Sequence, residues 1–137
     1  MSLIHGHASL LLMGLTLVGD GLCVALALFG DLTGRTRLPH IFWWILWAAQ
    51  IPLGIQGILG IDLLARGARP RTEYHLMYGG LIVLTLIALY GLRPGGTLRW
   101  TFARDDQAYR ESRWMLVLCL FLAALVGRAY MTGAVGR

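Results

Sequence analysis

The sequence predicts an all-α integral membrane protein, a bundle of four transmembrane helices. Three observations carry this. Hydrophobic residues make up 57% of the 137 and charged residues only 14%, with mean hydropathy +0.65, whereas a soluble domain carries about 25% charged residues. Four apolar runs approach the roughly 20 residues a helix needs to cross the hydrocarbon core. No run alternates polar and apolar residues as a barrel strand would, and backbone groups in lipid must be satisfied internally, so each run reads as a helix. The composition excludes a disordered chain, a nucleic-acid module and an ordinary water-soluble globule.

The first run extends from Leu3 to Phe29 and is closed by the polar stretch GDLTGR. The opening MSLIHGH has no basic leader region, and the run is too long for a signal peptide, so it is expected to stay as a helix. The second run, His40 to Ala65, opens after Pro39 and closes at RGARPR; the third, Tyr74 to Leu92, closes at RPGG. The fourth extends from about Gln107 to Gly133, with Asp105 and Asp106 suited to a helix N-terminus and Thr97 to Ser112 expected at the interface. Helices over about 3–29, 40–65, 74–92 and 107–133 then form one domain across 1–137, and the short connections favour antiparallel neighbours.

An even number of spans puts both termini on one side, called side A, together with the second connection; side B holds the first and third. All twelve basic residues are arginine. Side B carries Arg35, Arg37, Arg93, Arg99, Arg104, Arg110 and Arg113, against Arg66, Arg69, Arg71 and Arg137 on side A. The net charge of +5 is thus read as topology and attraction to anionic headgroups, with no nucleic-acid partner. The bias predicts side B cytoplasmic and both termini outside, in a bacterial-type inner membrane. Trp43, Trp44, Trp47, Trp100 and Trp114 cluster toward side B, as indoles do at a headgroup boundary.

A faint repeat relates the first hairpin to the second: His7 and His75 are 68 positions apart, Trp47 and Trp114 67, Gly60 and Gly127 67. It implies a pseudo-twofold axis along the membrane normal, with His7 and His75 facing each other near side A.

Ionisable groups within spans are functional candidates because lipid makes them costly. Asp20 is a proton or ion candidate, with Gln50 or Thr85 as available partners. Asp62 and Arg128, at similar depth, are expected to form a structural ion pair; alternatively Arg128 holds a ligand carboxylate. Cys23 and Cys119 lie in apolar runs without a CxxC or Cys/His pattern and read as small buried hydrophobes. The glycines at 54, 57 and 60 mark close helix packing, and Pro52 with Gln56 marks a kink.

The histidines carry the sharpest expectation. A b-type haem needs two imidazoles from facing helices at one depth, and His7 and His75 supply them, with His5 as the rival to His7. Gly14 and Gly79 lie on the same faces and permit close approach. Arg71, Arg69 and Arg128 are available for the propionates. His40, on the other side, has no partner there, so a second haem is not expected; copper at His5-x-His7 lacks a soft ligand set.

A short four-helix chain with histidines opening the first and third helices and Arg128 near the end of the fourth resembles small bacterial b-type cytochrome subunits and membrane anchors. Through His7, His75, Gly14, Gly79 and Arg128, the resemblance implies one haem b and a place beside a respiratory or photosynthetic electron-transfer complex, possessing a quinone or another subunit as partner. The four-histidine pattern of diheme b561-type proteins is absent. Two other classes stay open: a cofactor-free structural subunit of a larger complex or homo-oligomer, and a small proton-coupled transporter using Asp20. HEXXH, GxSxG and P-loop patterns are missing, so no independent catalytic activity is expected.

Overall fold

The computed structural model describes the backbone of residues 2–67, 69–70, 72–102 and 109–134, and side chains within these from residue 9 to residue 132. The elements are α1 (Ser2–Leu32), α2 (His40–Ala65), α3 (Glu73–Leu92), α4 (Thr97–Phe102) and α5 (Glu111–Ala134). α1, α2, α3 and α5 are each long and apolar enough to cross a bilayer. Their outward surfaces carry leucine, isoleucine, valine and aromatic side chains, among them Leu11, Val18, Ile58 and Leu84. In water such a surface would aggregate; in lipid it is the solvated face. The protein is a multi-pass membrane protein with its four long helices packed as a bundle.

The helices stop where the backbone can turn. Gly34 and Gly67, at φ +71° and +86°, follow the ends of α1 and α2 in the left-handed region that a side chain would strain. α2 continues unbroken through Pro52. The last span begins at Glu111, later than the expected Gln107, and residues 103–108 lie outside the described structure. The cause is local: the Glu111 amide donates to the Thr36 carbonyl at 3.3 Å, so it is tied to the first connection rather than to a preceding turn. The polar stretch instead contributes α4, a short helix carrying exposed Trp100 and Phe102.

α1 packs against both α2 and α5, and α3 packs against α5. α2 meets α3 through side chains, with the Trp47 and Tyr90 rings edge to face at 5.9 Å. The order around the bundle is therefore α1, α2, α3, α5, with α1 opposite α3. Both hairpins expected from the repeat exist, but the arrangement is not two-fold: α1 and α5 approach closely while α2 and α3 touch by rings.

Packing is uneven along the membrane normal. Toward side B, a Cβ on Gly19 would overlap the Ala49 side chain, and one on Gly30 would lie 3.2 Å from Leu38 and 3.3 Å from Ser112. Phe42, Leu46, Leu89, Met115 and Cys119 are fully buried at these levels. Toward side A, a Cβ on Gly54, Gly57, Gly60, Gly79 or Gly127 would meet nothing within 4 Å. From Ile51 to Ala65 no residue of α2 is buried. Among the described residues nothing packs against Gly54, Gly57 or Gly60. Helices in lipid associate through van der Waals contact rather than water release, so the tightly packed half holds the bundle together.

Replacing Gly19 with valine should weaken the bundle by about 1–3 kcal/mol through overpacking. Gly57→Ala should be neutral or add up to about 1 kcal/mol through helix propensity. Unfolding in mixed detergent micelles, followed by circular dichroism, measures both; equal losses would contradict the packing gradient.

Candidate functional site

Toward side A, His75 sits in the first turn of α3, partly buried, with its Nδ1 3.1 Å from the Ala129 carbonyl of α5. A carbonyl can only accept, so this contact requires the proton on Nδ1 and leaves the Nε2 lone pair available. Metal-bound histidines are held in this way, the second ring nitrogen fixing tautomer and orientation. Gly79, one turn on, and Gly127 on α5 have open space above their Cα atoms. Gly14 on α1 is likewise unobstructed.

The side chains of His5 and His7 and all of Arg71 lie outside the described residues. The backbone of α1 extends through both histidines, and α1 stands across the bundle from α3. Arg128 and Arg69 are exposed. Among the described residues no group of three or more His, Cys, Asp or Glu is arranged to hold a metal ion. Of the three histidines expected as ligands, His75 is the one whose side chain is described, and it offers a single imidazole nitrogen.

Asp62 is paired otherwise than expected. Its carboxylate meets the Arg66 guanidinium at 2.9 Å, one turn on in the same helix, with both side chains largely exposed. α2 and α5 occupy opposite corners, so Arg66 reaches Asp62 without crossing the bundle. An exposed pair at this spacing contributes about 0.3–0.5 kcal/mol, and Arg128 is left to other roles. Gln56 of α2 instead clasps α1, its Nε2 donating to the Ser9 carbonyl at 2.9 Å.

Midway along the bundle lies a polar cluster. The Gly19–Ala49 approach brings Asp20 and Gln50 side by side, and Gln50 Nε2 donates to Asp20 Oδ1 at 2.8 Å. Gln50, one of the two partners expected from sequence, is the actual one; the Thr85 hydroxyl donates to its own helix at Leu81 O, 2.8 Å. Asp20 is fully buried, and its Oδ2 and Gln50 Oε1 have no partner among the described residues. One turn away, Cys23 and Cys119 are both completely buried, and the Cys23 thiol donates to the Phe42 carbonyl at 3.9 Å. They are free cysteines packed as small core residues, as expected.

Sequence reasoning missed the best-built charged site. At the side B end, Arg99 of α4 donates from Nη1 and Nη2 to the two carboxylate oxygens of Glu111, each at 3.2 Å. Glu111 is 1% exposed and also accepts from the Leu38 amide at 3.4 Å. Tyr109 lies beneath, its ring centroid 5.7 Å from the Arg99 guanidinium carbon. Ser112 ties the same region to the α1–α2 connection, its Oγ donating to the Arg35 carbonyl at 3.0 Å. The available signal was a carboxylate at the first position of an apolar helix, with an arginine twelve residues earlier on a short amphipathic stretch. Burial first, then the Glu111 carboxylate, push the Tyr109 phenol above its ordinary pKa, with Arg99 pulling part of the way back.

No family model, no curated protein and no solved structure matches this chain.

Two outcomes follow. Gln50→Leu strips the buried Asp20 of its partner and should cost about 1–3 kcal/mol, while Asp20→Asn, which still offers Gln50 an acceptor, should cost less; thermal unfolding in detergent compares them. Tyr109 binds its proton more tightly folded than unfolded, so the stability it contributes is complete below the ordinary phenol range and is lost as pH rises through the folded value. Tyr109→Phe should remove the late step of a tyrosinate absorbance titration and flatten the alkaline loss of stability.

Proposed function

We propose that this protein is a small subunit of a bacterial-type inner membrane that holds one haem b in its side A half, between His75 and His7, beside a respiratory or photosynthetic electron-transfer complex. The observation that carries this reading is the contact of His75 Nδ1 with Ala129 O, which fixes the ring and leaves Nε2 free to ligate. The open faces of Gly14, Gly79 and Gly127 support it, because a flat macrocycle needs backbone approach without side chains in between. When bound, the group would supply reversible one-electron transfer, with a quinone or a neighbouring redox subunit as partner.

What the chain itself does is orient and insulate. α3 presents His75, α5 holds its tautomer through Ala129, and α1 brings His7 to the opposite corner, with His5 as the rival. Arg128 and Arg69, exposed toward side A, along with Arg71, would meet the propionates by charge-assisted hydrogen bonds. The arginine bias sets side B toward the cytoplasm and places the haem near the outer leaflet.

A second reading has its own observation. Gly54 and Gly57, exposed on α2 with no described neighbour, suit a cofactor-free structural subunit that closes against a neighbouring transmembrane helix.

The visible absorption spectrum of protein purified in mild detergent separates the two. The haem reading expects b-type bands that sharpen on reduction, vanish in His75→Ala and His7→Ala, and persist in Asp20→Asn. Protein without such bands that copurifies with stoichiometric partners belongs to the structural reading. Bands unchanged in His75→Ala would sink the ligand assignment, and bands lost in His5→Ala but kept in His7→Ala would move the second ligand to His5.

A further inference from the structure

At the end of the bundle opposite His75, the α1–α2 connection, α4 and the start of α5 enclose a cavity of about 270 Å³ lined by Thr36, Arg37, Arg99 and Tyr109. This is below the roughly 300–1,000 Å³ of pockets for drug-sized molecules, and it suits a single headgroup-sized ligand. Each of these four described lining residues carries a hydrogen-bond donor. Tyr109 is 6% exposed, and its hydroxyl has no hydrogen-bond partner among the described residues. A buried hydroxyl left without an acceptor is costly, so its presence at a cavity wall points to a ligand that accepts from it.

Arg99 is fixed in place by the two bonds to Glu111, which is itself buried and held by the Leu38 amide. A guanidinium has five N–H groups, so this anchoring leaves three for another acceptor. Rigid arginine forks of this kind match the oxygens of phosphate. The level of the cavity is set by a collar of exposed rings, Trp44 at 75%, Trp100 at 81%, Phe102 at 61% and Trp114 at 51%. Such rings belong at the boundary between acyl chains and headgroups.

We propose that this cavity binds the phosphate of an anionic lipid headgroup, received by the Tyr109 hydroxyl, the Arg99 guanidinium, Arg37 and Thr36. Free phosphate shares that chemistry; the ring collar favours the lipid. A zwitterionic choline headgroup brings a cation toward two guanidiniums and is disfavoured. The site is independent of any group held at His75.

The test reconstitutes the full chain in vesicles of phosphatidylcholine and phosphatidylglycerol, extracts it in mild detergent and counts retained lipids by native mass spectrometry. Wild-type protein should keep one phosphatidylglycerol in preference to phosphatidylcholine. Tyr109→Phe, which removes only the hydroxyl, should lower that retention by about ten- to a hundredfold, the scale of one lost charge-assisted hydrogen bond, with helical circular dichroism unchanged. Equal retention of the two lipids, or full retention in Tyr109→Phe, overturns the proposal. Displacement of the bound lipid by excess inorganic phosphate would reassign the site to free phosphate and overturn the lipid source.

Discussion

The approach of α1 to α2 at Gly19 and Ala49 sets the geometry of the rest. With no Cβ on Gly19, the two backbones close to a distance that a side chain would forbid. That closeness brings Asp20 against Gln50 and fully buries Cys23 beneath Phe42. It also leaves α1 free on its other face to receive α5, where Cys23 and Cys119 meet. In lipid, where burial of apolar surface gives little net drive, such close backbone contact is the main source of cohesion. The single bond between Gln50 and Asp20 then acts as register, since any slide between the helices would leave a carboxylate with no donor in a medium that punishes it.

From this clasp the molecule divides into two halves with different physical character. Toward side B the helix ends are tied by Glu111, Arg99 and Ser112, and Gly19, Gly30 and Gly91 have close neighbours. Toward side A the described glycines face open space and no residue in the second half of α2 is fully buried. A rigid half and an open half are what a scaffold needs if one end fixes the helices and the other receives something between or beside them. Asp20, at the Gly19–Ala49 contact, lies where the two halves meet, buried and bonded to Gln50.

The ionic groups follow the same division. Asp62 and Arg66 are exposed and weakly coupled, free to be solvated at the side A boundary. Glu111 and Arg99 are a buried pair, and such pairs are retained only where hydrogen bonds complete them. Here the Leu38 amide adds a third donor to the carboxylate. The pair also joins α4 to α5 and both to the first connection, which accounts for the late start of α5.

Much of the fold was legible because lipid imposes one rule on every span. Run length and lack of charge alone identify the four helices and, by their even number, the shared side of the termini. The Asp20–Gln50 contact was within reach for the same reason, since a mid-membrane carboxylate has few donors to choose from. Which helix stands beside which was not legible: the seams in lipid depend on small differences in side-chain volume, and sequence periodicity in uniformly apolar helices carries no face. So Asp62 found Arg66 one turn along its own helix. The Arg99–Glu111–Tyr109 site was equally hidden, because its parts come from separate segments joined only when α4 folds back over the bundle. The sequence by itself determined that the chain crosses a membrane four times; the order of helices, the tight and open halves, and the polar sites at each end were decided by three-dimensional packing, where the position of one missing Cβ chooses which surfaces can meet.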